Sequence, residues 1–224
     1  MKIRKLYLVE GAKEATGLVV AIDVFRAYST ACYLFEAGVE KIIPTDDIEH
    51  AYKLKEDNPH YILLGERGGE MIKEFDYNNS PSKIIGANLQ NKTVVMTTSS
   101  GTKGLLSAKN ATSIITGSFV NAKAIAKYIL KENPEEVSIV ALGNGGVSRA
   151  PEDDAFSDYL EALLTNKNFD LIKTKEELKI SAGERFFDPN ILHSPKADFD
   201  LCLDFNRFDF VIRYQNGELL KYNV

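Results

Sequence analysis

The 224-residue chain has no tryptophan, two cysteines, three histidines and three methionines. Each scarcity removes a class of mechanism. Cys32 and Cys202 stand far apart in apolar surroundings without a metal-type spacing, and they read as reduced core residues. His50, His60 and His193 fall in helix, loop and tail contexts away from the polar loops discussed below, so no histidine base is expected. Basic charge is in deficit. The net charge of −5 argues against a general nucleic-acid binder, because phosphate contacts need a basic surface, although a local basic pocket remains compatible with it. No apolar run approaches the roughly 18 residues of a membrane span. The opening "MKIRKLYLVEGAKEATG" lacks the long apolar region of a signal peptide. The expectation is a cytoplasmic globular protein, with no nucleic acid and no membrane among its partners and room for a homodimer.

What the chain does have is alternation. Val19–Asp23 is a short β-rich run, and "RAYSTACYLFEAG" after it has helical spacing that stops on Gly38. "KIIPT" reads as a strand, "DDIEHAYKLKEDNP" as a capped helix and "YILLGERGG" as a strand entering a glycine turn. The order returns from Thr93: strand "TVVMT", turn and helix "SSGTKGLLSAKNA", strand "SIITG", helix "FVNAKAIAKYILKENP", and strand "VSIVALGNGG" into a second glycine turn. The offset is roughly 75 residues, the size of a supersecondary unit. Chance likeness of two βαβαβ stretches is the alternative. The pattern predicts a three-layer α/β/α fold with a mainly parallel sheet, two similar βαβαβ halves and a C-terminal strand region. The chain is then one domain over 1–224, or two halves of about 1–90 and 91–165 completed by 166–224. In the tail, "KTKEELKISAGERFF" looks helical and "FDFVIRYQNGELLKYNV" looks like a hairpin turned at Asn216–Gly217.

Ligands of such sheets sit beyond the carboxyl ends of the strands. Asp23 with Arg26, the loop "TTSSGT" (97–102), "GERGG" (65–69) and "GNGGVSRAPEDD" (143–154) would meet there on one rim. In "TTSSGT", main-chain amides at a helix start beside Ser99, Ser100 and Thr102, with Gly101 between, can seat an anion or simply cap the helix. Glu66 and Arg67 stand between glycines, where backbone can approach a ligand, or they form a surface ion pair. In "FDYNNSP", Asn79 and Ser80 can orient a ligand or make an Asx turn. The cluster Glu152–Asp154 opens a helix, where acids suit the dipole. Paired with Asp23, the same acids would suit Mg2+, which takes few carboxylates and keeps several waters. Beside Arg26 and Arg67 such a metal would suit a phosphate ester. Other phosphoryl motifs are missing: there is no glycine-rich loop ending in Gly-Lys-Ser/Thr, and Phe25 stands where a second aspartate would suggest an aspartyl-phosphate hydrolase.

"DVFRAYSTA", "GERGG", "FDYNNSP", "TTSSGT" and "EDD", in that order, together with the ending "FDLCLDFNRFDFVIRYQNGELL", resemble the 2-phosphosulfolactate phosphatase family from about Leu18 to Leu220. The resemblance implies an α/β fold and Mg2+-dependent hydrolysis of 2-phospho-3-sulfolactate to sulfolactate and phosphate, a step of coenzyme M biosynthesis. Carried onto this chain, it implies Asp23, Glu152 and Asp153 as metal ligands and Arg26 and Arg67 as anion binders; with Asp23 and Glu66 these two arginines are the expected catalytic residues. Asn79, Ser80, Ser99, Ser100, Gly101 and Thr102 would bind the substrate. The chain departs from the family at Ser99–Ser100, where Thr-Asn is usual, and at Glu74 and Asn78, where glycines are usual.

The leading expectation is a Mg2+-dependent phosphatase acting on a small, multiply anionic phosphate ester, with Asp23 or Glu66 positioning water; a covalent aspartyl or seryl intermediate stays open. The alternative is a divergent, non-catalytic anion-binding or regulatory relative. A Rossmann-type oxidoreductase rests only on the imperfect "GNGGVS" turn.

Overall fold

The computed structural model describes residues 1–224, and the apolar runs bounded by turn residues form its strands. β1 (Lys2–Tyr7) and α1 (Leu8–Glu14) come first. The first expected half follows as β2 (Gly17–Ile22), α2 (Ala27–Glu36), β3 (Lys41–Pro44), α3 (Ile48–Asp57) and β4 (Ile62–Arg67). A two-residue β5 (Glu70–Met71) and one-turn α4 (Pro81–Ile84) lead to the second: β6 (Thr93–Thr97), α5 (Gly101–Ser107), β7 (Ala111–Gly117), α6 (Ala122–Glu132) and β8 (Glu136–Ala141). The tail holds α7 (Pro151–Leu164), α8 (Leu171–Lys179), α9 (Lys196–Cys202) and the hairpin β9 (Phe210–Gln215) and β10 (Glu218–Asn223). No helix is long and apolar enough to cross a membrane.

Side chains alternate across a strand, so a continuous apolar run fits one covered on both faces. In β2, Val19 and Ala21 enter a core of 28 buried residues, while Leu18, Val20 and Ile22 enter a second of 24. In β6, Val94 and Met96 join the first core, and Val95 joins a small third cluster with Leu63 and Ala51. Helices on both faces therefore cover a mixed, largely parallel sheet. From Ala27 to Phe35 every residue of α2 is buried, which explains a helix with no charge before Glu36.

The ten strands run in the order β1-β8-β2-β7-β9-β10-β3-β6-β4-β5. The two similar stretches are thus interleaved. β2 lies between β8 and β7, and β6 lies between β3 and β4, each first strand inserted between the second and third of the other stretch. The C-terminal hairpin turns at Asn216 (φ 53°) and Gly217 (φ 84°), the left-handed pair that a two-residue turn requires, and it joins the triplets in mid-sheet.

This joint changes the expectation of one rim on one parallel sheet. β7–β9, β9–β10 and β10–β3 are all antiparallel, so the two triplets run in opposite directions. A flat sheet would send the ends of β2 and β6 apart. They meet instead: the Tyr28 hydroxyl donates to the Gly101 carbonyl at 2.8 Å, so the sheet bends, and the β10–β3 ladder there is a single pair, Leu219 with Ile42.

Two other readings need correction. The N-terminal β1 was not expected from "KIRKLY", which has charge on an edge strand where only β8 pairs with it. The helix expected over "KTKEELKISAGERFF" stops at Lys179, and Glu184–Phe186 is a separate 3-10 turn. Past the helix end the Gly183 amide donates to the Leu178 carbonyl at 2.7 Å, and only glycine fits there, because a β-carbon would lie 2.4 Å from the Phe199 ring and 2.7 Å from the Leu178 carbonyl oxygen.

Candidate active site

Where the strand ends meet there is a cleft of about 110 Å3, and Phe25 is the only hydrophobic residue lining it. Asp23 and Arg26 come from the loop after β2, Glu66, Gly68 and Gly69 from the end of β4, and Asn79 from the segment before α4. Ser99 and Ser100 come from the loop after β6, Gly143 to Gly145 from the loop after β8, and Arg185 from the 3-10 turn. A larger hollow of about 670 Å3 shares Arg185 but has none of the other polar residues of the cleft.

Asp23 Oδ1 accepts the Ala27 amide at 3.0 Å, fixing the carboxylate at the start of α2. Burial pushes its pKa up to about 6; the Ala27 amide opposes this, Glu66 adds to it and Arg185 opposes it. Gly101 must be glycine here, because a β-carbon would fall 2.7 Å from the Ala27 β-carbon and 2.9 Å from Asp23 Oδ2.

Glu66 is a brace. Its Oε1 accepts the Ser99 amide at 2.7 Å, and its Oε2 accepts the Gly69 amide at 2.7 Å and the Ser99 hydroxyl at 3.0 Å, tying two loops together. The "TTSSGT" turn is accordingly not a ring of free amides. Ser99 gives its amide to Glu66, while Thr98 and Thr102 exchange amide-to-hydroxyl bonds at 3.0 and 3.1 Å. Thr102 is 1% exposed and does not line the cleft, so the structure places it in the turn's scaffold and not with the substrate binders expected. Gly101 likewise serves by being small.

Two guanidiniums reach the cleft, but only one is an expected residue. Arg26 is 4% exposed, and its Nη1 donates to Asp198 Oδ2 at 2.6 Å and to the His193 carbonyl at 2.9 Å. Arg67 does not line the cleft: it donates to its own neighbour's carbonyl at Glu66, to the Thr97 hydroxyl at 2.8 Å and to the Asp46 carbonyl. Consecutive strand residues point to opposite faces, so with Glu66 turned inward Arg67 turns away. Its place is taken by Arg185, whose Nη2 donates to the Phe25 carbonyl at 3.0 Å and whose buried Nε has no partner. His193 also lies nearer than expected, its ring within about 3 Å of where a β-carbon on Gly69 would be.

Of the acids at the start of α7, Glu152 and Asp153 are buried. Asp153 accepts the Val24 and Gly143 amides on Oδ1 and Oδ2, both at 2.9 Å, which ties the ends of β2 and β8 together. Burial raises its pKa well above the carboxylate range, with Glu152 and Asp23 adding to the shift. Glu152 Oε2 is buried without a partner; burial raises that carboxyl to about 7, with Arg185 opposing and Asp23 and Asp154 adding. No three acids, histidines or cysteines form a metal-holding group. Adjacent helical residues leave the axis about 100° apart, so Glu152 and Asp153 start in different directions, while both lie within electrostatic reach of Asp23.

Asn79 Oδ1 is buried, unpartnered and on the cleft wall, whereas Ser80 is turned away and donates to Asp198 Oδ2 at 2.7 Å. At the departures from the family pattern, Asn78 does the work of a link: its Nδ2 donates to the Gly69 carbonyl at 3.1 Å, and its Oδ1 accepts the Asn79 amide at 2.7 Å. Glu74 is exposed at φ 62°, a left-handed position that favours glycine. Glu74→Gly is expected to stabilise the protein by about 0.5–1 kcal/mol, relief of the left-handed strain outweighing the added chain entropy. Thermal melting tests this; an unchanged or lower Tm would mean that the position carries no strain.

A family model described as 2-phosphosulpholactate phosphatase matches residues 6–217. The chain is 40% identical over 169 residues to the "Probable 2-phosphosulfolactate phosphatase" of Carboxydothermus hydrogenoformans, covering 75% of this chain and 69% of the relative. It is 28% identical over 215 residues to the protein of that name from Thermoplasma volcanium, covering 95% and 97%. To the Bacillus subtilis protein, also so named, it is 31% identical over 205 residues, covering 89% and 88%.

Proposed function

The chain belongs to the 2-phosphosulpholactate phosphatase family, and from that premise we propose that the cleft holds 2-phospho-3-sulfolactate during hydrolysis of its phosphate. The chain is a phosphoric monoester hydrolase. The observation that carries the assignment to this cleft is the meeting of Arg26 and Arg185 with Asp23, an acid held at about 6, among polar walls that include Glu66. The substrate brings phosphate, carboxylate and sulfonate, and two guanidiniums in a partly dry site can each grip two oxygens.

The residues would suit a Mg2+ ion of few protein ligands. Asp23 lines the cleft with Oδ2 free of hydrogen bonds to side chains, and Glu152, behind the wall and within electrostatic reach of Asp23, has an orphaned buried oxygen; water and phosphate oxygens would complete the shell. Bound there, Mg2+ would neutralise charge on the phosphoryl oxygens and lower the pKa of a coordinated water. Asp153 holds one main-chain amide on each oxygen, and each oxygen keeps a second lone pair that a metal could use. The chain's own part is positioning. Arg26 and Arg185 orient the ester, and Asn79 offers its free carbonyl to a hydroxyl donor. Asp23 accepts a proton from water as the water oxygen adds to phosphorus and the phosphorus–oxygen ester bond breaks, and the departing sulfolactate oxygen takes that proton or one from solvent. Glu66 keeps the glycine and serine loops in place. Sulfolactate as the product would suit a step of coenzyme M biosynthesis.

The test is phosphate release from 2-phospho-3-sulfolactate and from a panel of short phosphoacids. Activity is expected to vanish in chelator and to return with Mg2+, and Mg2+ is expected to raise Tm by binding the folded acids. Turnover undiminished by chelator would remove the metal from the reading, and no turnover of any ester would remove the assignment.

A further inference from the structure

Asp198 is fully buried and never reaches the cleft, yet it is the most heavily used carboxylate behind it. Its Oδ2 accepts from Arg26 Nη1 at 2.6 Å and from the Ser80 hydroxyl at 2.7 Å, and its Oδ1 accepts the Ser82 amide at 2.9 Å. A guanidinium only 4% exposed needs a partner, because an uncompensated buried charge is strongly destabilising. Neutralisation alone would be met by any nearby acid. What this arrangement adds is direction. Arg26 Nη1 is held from two sides, by Asp198 and by the His193 carbonyl at 2.9 Å, and a planar guanidinium anchored so at one nitrogen has its plane fixed. Both hydrogen bonds leave from Nη1, so the edge formed by Nε and Nη2 stays unspent. That edge can take two oxygens of one oxyanion side by side. Asp198 is itself immobilised, since donors from Ser80 and Ser82 saturate it from the opposite side.

We propose that Asp198 is a positioning residue for the reaction, aiming the Nε–Nη2 edge of Arg26 at the phosphate ester. This rests on the reading of Arg26 as an ester ligand. It gives Ser80 a role that its place in the "NNSP" stretch does not suggest, as a support of Asp198 and not as a substrate contact. It also makes the helix α9 part of the site through a side chain that touches no substrate.

The test is a pair of mutant cycles. Asp198→Asn and Ser80→Ala are each placed in the wild-type chain and in Arg26→Ala, and the affinity for inorganic phosphate with Mg2+ is measured by calorimetry, together with kcat/KM and Tm. Asparagine cannot satisfy all three donors, because one of its two polar atoms is itself a donor. Asp198→Asn is expected to weaken phosphate binding by roughly 10- to 100-fold in the wild-type chain and by less than about twofold once Arg26 is gone, as groups in one network couple. Ser80→Ala is expected to follow the same pattern with a smaller loss, and it decides the matter if Asp198→Asn does not fold. Equal losses in both backgrounds would make Asp198 a structural ion pair only and overturn the proposal. So would a folded Asp198→Asn protein that binds phosphate as the wild type does. Undiminished binding by Arg26→Ala would instead strike the reading of Arg26 itself, and with it this one.

Discussion

Asp23→Asn is expected to lower kcat by roughly a thousandfold, the size seen when a positioned acid or base is removed, and at the same time to make the protein more stable at pH 8. The two effects have one cause. Asp23 sits at about 6 against an ordinary 3.8, first of all because it is buried. The folded chain therefore holds this proton more tightly than the unfolded chain does. Above pH 6 the ionised group costs the fold stability, and that stability is regained as pH falls through 6 toward 4. A shift of that size corresponds to on the order of 2–3 kcal/mol. Asparagine keeps an acceptor for the Ala27 amide and carries no charge, so the penalty goes. In metal-free buffer with chelator, the Tm of Asp23→Asn at pH 8 should exceed that of the wild type, and its change between pH 7 and pH 4 should be smaller. A variant that loses both activity and stability would show Asp23 to be a scaffold residue.

The second large effect is expected at Arg185. Arg185→Gln should reduce kcat/KM by roughly 100-fold or more, as for loss of a preorganised donor to developing negative charge. Folding should suffer little, since the side chain is partly exposed and makes one protein hydrogen bond, to the Phe25 carbonyl. The pH profile separates a binding role from an electrostatic one. Arg185 pulls the Asp23 and Glu152 carboxyls down, against the burial that raises both. Without the guanidinium those groups should titrate at still higher pH, and the acidic limb of the activity profile should move up with them. A lowered kcat/KM with the acidic limb unmoved would confine Arg185 to gripping substrate. Unchanged kcat/KM would remove it from the site.

Much of the scaffold was legible because the runs of β2, β6 and β8 are apolar except for Ser138 and the strand-end residues Thr93, Thr97 and Glu136, leaving no polar face to water, and such runs imply strands covered on both sides. Gly38 and the Asn216–Gly217 pair marked their turns for stated backbone reasons. The interleaving was not legible, since strand order depends on pairings such as Leu18 with Val137 that no local pattern records. The site was half legible. Asp23, Arg26, Glu66, Asn79, Ser99 and Ser100 do line one cleft. Arg67 was misplaced by overlooking a rule the sequence does contain: successive residues of a strand point to opposite faces. Arg185 lay in a stretch read as continuous helix, although "GER" at 183–185 repeats the "GER" at 65–67. Asp198 had a fainter signal, an acid among the apolar residues of "ADFDLC", where a buried charge calls for a partner.

The interleaved strands also set a condition on how the molecule is made. Val20 in β2 is flanked by Ile115 and Ile139, and neither neighbour exists until most of the polypeptide has left the ribosome. The early βαβαβ stretch consequently has exposed apolar edges during synthesis, with no native surface of its own to close them, and chaperone protection would matter most in that interval. Cutting the chain near residue 90 would for the same reason yield fragments that depend on mutual complementation, each supplying the missing middle strand of the other.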